Sequence, residues 1–225
     1  MEAMVSSLVP ENGHLLVIEN GVYGERLSNI ARIHDIQLTK AHFEWGEEPD
    51  LQLVAESIDQ NPSITHLAAV HHETTTGRLN SLGGLGRLCR ERGIQLLMDG
   101  VSSFGGEELN FDDDHITACA ATANKCLHGI PGLAFVILQR SALEQDSYLR
   151  RTLYLDLKTY YQAQEKKSTP FTPAIPAFYA LEEALTELKD DGGWKARHQK
   201  YRSLADQVTS GLAELDIPIL LPVED

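Results

Sequence analysis

The feature that most narrows what this chain can fold into is an alternation of two hydrophobic periods. Short apolar runs, HLLVIEN (14–20), THLAAVHHE (65–73), IQLLMDGVS (94–102), HITACAATA (115–123) and LAFVILQR (133–140), are separated by amphipathic stretches such as ERLSNIARIHD (25–35) and LGGLGRLCRERG (82–93). Strands alternating with helices of roughly ten residues need crossover connections, and crossovers lay helices on both faces of a mainly parallel sheet. The spacing predicts a three-layer α/β domain with a doubly wound sheet of five strands by residue 140. LAFVILQR, a continuous apolar run, reads as a strand covered on both faces.

After about residue 141 the pattern turns helical. A loop, KKSTPFTPAIP (166–176), precedes two helix-forming stretches, AFYALEEALTELKDDGG (177–193) and WKARHQKYRSLADQVTSGLAEL (194–215). Tyr179, Leu181, Ala184, Leu185 and Leu188 give the first of these an apolar face, and Gly192-Gly193 ends it. The opening MEAMVSSLVP reads as a helix with nothing ahead to cap or cover it, and the closing IPILLPVED as a strand without a partner.

Charge and cysteine content exclude several function classes. Nineteen Lys and Arg against 33 Asp and Glu give a net charge of −14, which argues against a sequence-independent grip on nucleic acid or anionic lipid. No stretch reaches the roughly 18–20 apolar residues that cross a bilayer, and the start lacks a signal-peptide layout, so the sequence reads as cytosolic. Cys89, Cys119 and Cys126 form no CxxC pair and read as reduced, mostly buried thiols.

In open parallel sheets ligands sit beyond the carboxyl ends of the strands. Four polar segments follow apolar runs in that way: Glu19-Asn20-Gly21, His71 through Gly77, Asp99 through Ser103, and Asn124-Lys125. Asp99 ends the run Ile94–Met98, where a half-buried carboxylate wants a cation or hydrogen-bond donors; alone, it could equally cap the next helix. Lys125 follows a run of small residues, and a pocketed lysine with a lowered pKa can condense with an aldehyde. Together they match the needs of a pyridoxal phosphate site, an amine for the aldehyde and a carboxylate to hold the pyridine nitrogen protonated.

The stretches HHETTTGRLN, LLMDGVSSFGG and TANKCLHGIPGLAFVI resemble class V, fold-type I pyridoxal-phosphate aminotransferases over nearly the whole chain. Their HxETTTG and ANKC-x-x-G-x-PG segments are most similar to the members that transfer the amino group of 2-aminoethylphosphonate to pyruvate. The resemblance implies a cofactor-binding large domain at 1–170 and, at 171–225, interdomain helices and the start of a small domain. Lys125 would join the cofactor and serve as general base and acid. Asp99 would pair with the pyridinium nitrogen, Tyr23 would stack on the ring, and Val101 would pack on its other face. Thr74 would donate to the phenolic oxygen, and Asn124 would neighbour the phosphate. Thr172 would reach the phosphate of a neighbouring subunit, making a homodimer with a shared site. The resemblance also implies that a phosphate-cradling Ser-Gly-Thr loop and a C-terminal substrate arginine lie outside this chain, so a non-catalytic truncated paralogue stays open beside another class V transaminase of the serine or alanine:glyoxylate type.

Other clusters weigh less. His71, His72, Glu73 and His115 could be drawn as a zinc site, but adjacent histidines at a strand end point to opposite sides, and no metal is expected. Cys126 beside Lys125 reads as a packing residue rather than a desulfurase nucleophile. Arg26 and Arg78 read as single exposed arginines that make surface pairs.

Overall fold

The computed structural model describes residues 1–144 and 148–221. In chain order the elements are α1 (Glu2–Leu8), β1 (His14–Glu19), α2 (Val22–Ile33), β2 (Gln37–His42), α3 (Leu51–Gln60) and β3 (His66–Val70). There follow β4 (His72–Glu73), β5 (Arg78–Leu79), α4 (Leu82–Arg92), β6 (Gln95–Asp99), β7 (Ile116–Thr122) and β8 (Ala134–Leu138). Three helices close the described chain, α5 (Leu157–Glu165), α6 (Ile175–Asp190) and α7 (Gly193–Glu214).

Six strands form the main sheet in the order β2-β1-β3-β6-β7-β8, parallel except for β8, which runs antiparallel to β7. Side chains alternate across it. Leu16, Ile18, Leu67, Leu96 and Met98 pack with Val54, Ile58, Leu85 and Leu88 of α3 and α4. Leu15, Val17, Ala68, Leu97 and Ala118 pack with Met4, Val5, Leu8, Leu27 and Ala31 of α1 and α2. A period of two splits each strand between the two cores, and a fully buried leucine contributes about 1.5–3 kcal/mol of transfer free energy. The three-layer, mainly parallel sheet is the architecture the alternation implies.

Several details differ from the sequence reading. The sheet has β2 at its edge, a sixth strand that QLTKAH does not announce because most of its residues face solvent or half-exposed surface. Asp50 caps the unforeseen α3, its Oδ1 accepting from the Gln52 N–H at 2.7 Å and the Leu53 N–H at 3.4 Å. THLAAVHHE is not one strand: β3 stops at Val70, and His72-Glu73 turns back to pair with Arg78-Leu79. The run LAFVILQR is not covered on both faces, since β8 is an edge strand in which Ala134 and Ile137 are exposed. The opening helix is covered, with Met4, Val5 and Leu8 at most 2% exposed. Residues 217–221 form no strand, and the rest of IPILLPVED lies outside the described residues. Between α6 and α7 Gly192 adopts φ +97°, the left-handed conformation that lets the second helix fold back.

Candidate active site

Because β1, β3, β6 and β7 run the same way, their carboxyl ends share one edge. Val70, Asp99 and Ala120 are register neighbours there. Asp99 is 2% exposed. Its Oδ1 accepts from the Val101 N–H at 2.9 Å, and its backbone carbonyl accepts from the His71 N–H at 2.9 Å. Burial pushes the Asp99 carboxyl above its ordinary range, and the Val101 N–H pulls part of the way back. Beneath it, His71 Nδ1 and Ser103 Oγ lie 2.9 Å apart, both buried. Burial, helped by the charge of His72, pulls His71 down to about 4, so this imidazole is neutral at pH 7.

Ser102 joins three of the four segments. Its hydroxyl is 2.6 Å from the Thr74 hydroxyl, and its carbonyl accepts from Cys126 Sγ at 3.2 Å. Thr74, the Asp99 loop and the Lys125 turn are thereby tied together. Lys125 is half-buried. Its turn is closed by His128 N–H to the Lys125 carbonyl at 2.9 Å and Gly129 N–H to the Ala123 carbonyl at 2.7 Å. Asn124 is exposed, its Oδ1 2.8 Å from Thr122 Oγ1. Val101 is half-buried.

Tyr23 occupies the first turn of α2. Its N–H donates to Glu73 Oε2 at 3.1 Å, and the Arg26 guanidinium lies 4.5 Å from its ring centroid. Thr172 is exposed in the loop before α6, and among the described residues no hydrogen bond ties it to the other candidates.

Sequence reasoning weighed Glu73 only as a metal ligand and set that aside, yet this carboxylate is 0% exposed and holds Tyr23 N–H while accepting from the Thr75 hydroxyl at 2.8 Å. Asn20 Nδ2 donates to Asn80 Oδ1 at 2.7 Å, and Asn80 Nδ2 to the Val70 carbonyl at 2.8 Å, bracing the β1 and β3 ends. Glu73, Asn20 and Ser102 fall in the flagged segments, so position was the available signal; nothing local marks Asn80. Arg78 departs from expectation: it is buried, and its Nε donates to the Gly46 carbonyl at 2.9 Å. Burial holds the Cys89 and Cys119 thiols up at about 12, while Cys126 is half-buried. Among the described residues no group of three or more His, Cys, Asp or Glu gathers to hold a metal.

This donor set suits a protonated pyridine that carries an aldehyde. A buried carboxylate with one backbone N–H on it gains from a cation, an amine stands on the neighbouring turn, and paired hydroxyls and an aromatic ring border the same edge. The sequence pattern that defines the family described as aminotransferase class-V matches residues 3–223.

The chain belongs to the class V aminotransferase family.

Among its class V relatives, a 2-aminoethylphosphonate–pyruvate transaminase of Vibrio cholerae serotype O1 is 37% identical over 227 residues, 99% of this chain and 61% of the relative. One of the same description from Syntrophobacter fumaroxidans is 38% identical over 224 residues, 99% of this chain and 60% of the relative. The chain thus spans about three-fifths of the length of these curated relatives. Among solved structures, an alanine–glyoxylate aminotransferase from Nostoc superposes with TM-score 0.91 at 27% identity, covering 100% of this chain and 60% of that one. A pyridoxamine–pyruvate aminotransferase from Mesorhizobium loti gives 0.86 at 27% identity, covering 94% and 55%. The fold is that of the fold-type I large domain, and class V aminotransferases depend on pyridoxal 5′-phosphate.

Proposed function

We propose that the chain carries the cofactor-binding part of an aminotransferase that moves the amino group of 2-aminoethylphosphonate to pyruvate, giving phosphonoacetaldehyde and alanine. The observation that carries this reading is the Ser102 bridge, which ties the Thr74, Asp99 and Lys125 segments into one site. Bound pyridoxal phosphate supplies an aldehyde and an electron-withdrawing pyridine ring. Lys125 is the residue whose Nζ would hold the aldehyde, and the same amine would serve as the base and acid that moves the proton of the reacting carbon. Asp99 would keep the pyridine nitrogen protonated, which would give the buried carboxylate a counter-charge. The Tyr23 ring and the Val101 side chain would hold the two faces of the pyridine ring, Thr74 would donate to its phenolic oxygen, and Asn124 would neighbour the phosphate. Thr172 serves the phosphate of a second copy, which makes the working protein a homodimer with a shared site.

The same reading divides the chain into a large domain to residue 170 and the beginning of a small domain after it, and places the protein in the cytoplasm without nucleic-acid or membrane partners. Among the described residues no helix is long and apolar enough to cross a membrane. The alanine–glyoxylate pair is the second reading, favoured by the 0.91 TM-score; the 37% identity to a 2-aminoethylphosphonate relative ranks it below the first.

The test is to add pyridoxal phosphate to the purified chain, record the visible spectrum, reduce with borohydride and map the adduct. The expected result is a yellow band lost on reduction and a label on Lys125, absent from Lys125→Ala. A label on another lysine, or an unchanged adduct in Lys125→Ala, refutes the assignment. Addition of 2-aminoethylphosphonate is expected to bleach the band and pyruvate to restore it, whereas a response to alanine and glyoxylate alone selects the second reading.

A further inference from the structure

Helix α7 runs 22 residues, and the one buried among them is an arginine, Arg197, at 6% exposure. A buried guanidinium is costly unless its N–H groups are used. Arg197 Nη1 donates at 2.7 Å to the carbonyl of Cys126, the residue after Lys125, and Nη2 lies 3.6 Å from the exposed Asp191 carboxylate. One turn further along the same helix face, the Tyr201 hydroxyl hydrogen-bonds His128 Nε2 at the far end of the lysine turn. His198 Nδ1 sits 3.1 Å from the Gly106 carbonyl and 3.0 Å from Glu107 Oε2, on the loop that also carries Ser102. Three residues of α7 therefore grip both loops beside Lys125.

From this geometry we infer that Arg197 is a positioning residue, through which α7 fixes the backbone of the turn that bears Lys125. The turn closes its own short hydrogen bonds at His128 and Gly129, whereas the Cys126 carbonyl takes its donor from a helix 71 residues away in sequence. A charge-assisted hydrogen bond to a buried partner is stronger than a neutral one and sets direction as well as distance. Lys125 reaches its target over a flexible four-carbon stem, so the rigid part of its placement is the backbone. Small displacements of a reacting group lower rates steeply. The inference rests on the reading of Lys125 as the cofactor-bound residue, but the hold of Arg197 on the turn is measurable without cofactor.

The experiment is amide hydrogen exchange on the 225-residue chain without cofactor, in wild type, Arg197→Ala, Arg197→Lys and Tyr201→Phe. In Arg197→Ala the His128 and Gly129 amides are expected to exchange about ten- to a hundredfold faster, the range that loss of one charge-assisted hydrogen bond gives, with amides of β1 and β6 unchanged. Arg197→Lys restores part of the protection, and Tyr201→Phe loosens His128 more than Ala123. Unchanged exchange at His128 and Gly129 overturns the inference. If Arg197→Ala unfolds the whole chain, Arg197→Lys decides in the same manner. With pyridoxal phosphate added, the pH midpoint of the visible band is expected to move in Arg197→Ala, a change that a purely global loss of stability does not produce. Absence of any adduct on wild-type Lys125 overturns the active-site reading instead, and the exchange result then stands on its own.

Discussion

Replacing Gly21 by alanine puts a methyl group where the structure has the Glu73 side chain. That carbon would lie 2.8 Å from Glu73 Oε2 and closer still to its Cγ and Cδ. The backbone of Gly21 is extended, at φ 173°, so alanine meets no strain there and the cost arises from the contact alone. Glu73 has no room to yield: it is fully buried and holds the Tyr23 N–H and the Thr75 hydroxyl. Moving it breaks two hydrogen bonds to a charged group, each worth about 1.5 kcal/mol or more, so Gly21→Ala is expected to destabilise by about 3 kcal/mol. The assay is urea unfolding followed by circular dichroism, run as a double-mutant cycle with Glu73→Ala. In that background the clash is gone, and Gly21→Ala is expected to cost less than about 1 kcal/mol, leaving a coupling of about 2 kcal/mol. Equal costs in both backgrounds would refute the steric argument.

Two further outcomes follow from the burial of titratable groups in and beside the sheet. Asp99 has its folded pKa raised by burial, so its penalty is absent below the unfolded carboxylate pKa and fully present above the folded one. Asp99→Asn is therefore expected to stabilise the cofactor-free chain at pH 7, with the gain vanishing in acid, while weakening pyridoxal phosphate binding measured by absorbance titration; a loss of stability at pH 7 contradicts the reasoning. His66 and His71 are both lowered to about 4 by burial. Their stabilising effect is complete above the unfolded value near 6.5 and lost as pH falls toward about 4, up to about 3 kcal/mol for each. Urea midpoints at pH 7.5 and 4.5 are expected to differ by less in His71→Asn than in wild type.

Much of the site was legible because strand ends are local signals. Asp99 and Lys125 announce themselves by following apolar runs, and the parallel direction of the runs sends both to one edge. Glu73 was legible only as a member of a flagged segment. Its purpose comes from Tyr23 and Gly21, some fifty residues earlier, which no periodicity connects to it. Arg78 read as exposed because a lone arginine usually is; it is buried, with the Gly46 carbonyl brought beside its Nε by the turn after β2. The edge strands were the least legible elements. In β2 half-exposure weakens the apolar pattern, and in β8 a run of five apolar residues says nothing of direction or of which face is open.

The sequence by itself determined the alternation of strand and helix, the two-sided burial of the central strands and the carboxylate and amine at their ends, because each is a property of a few neighbouring residues. Tertiary structure alone decided that Ser102 bridges Thr74 to the lysine turn, that Glu73 clamps the start of α2, and that a buried arginine on a late helix holds the Cys126 carbonyl. Those are contacts between segments far apart along the chain. Their hydrogen-bond partners are fixed by how the layers stack, and hydrogen bonds act over about 3 Å of space, whatever the separation in sequence.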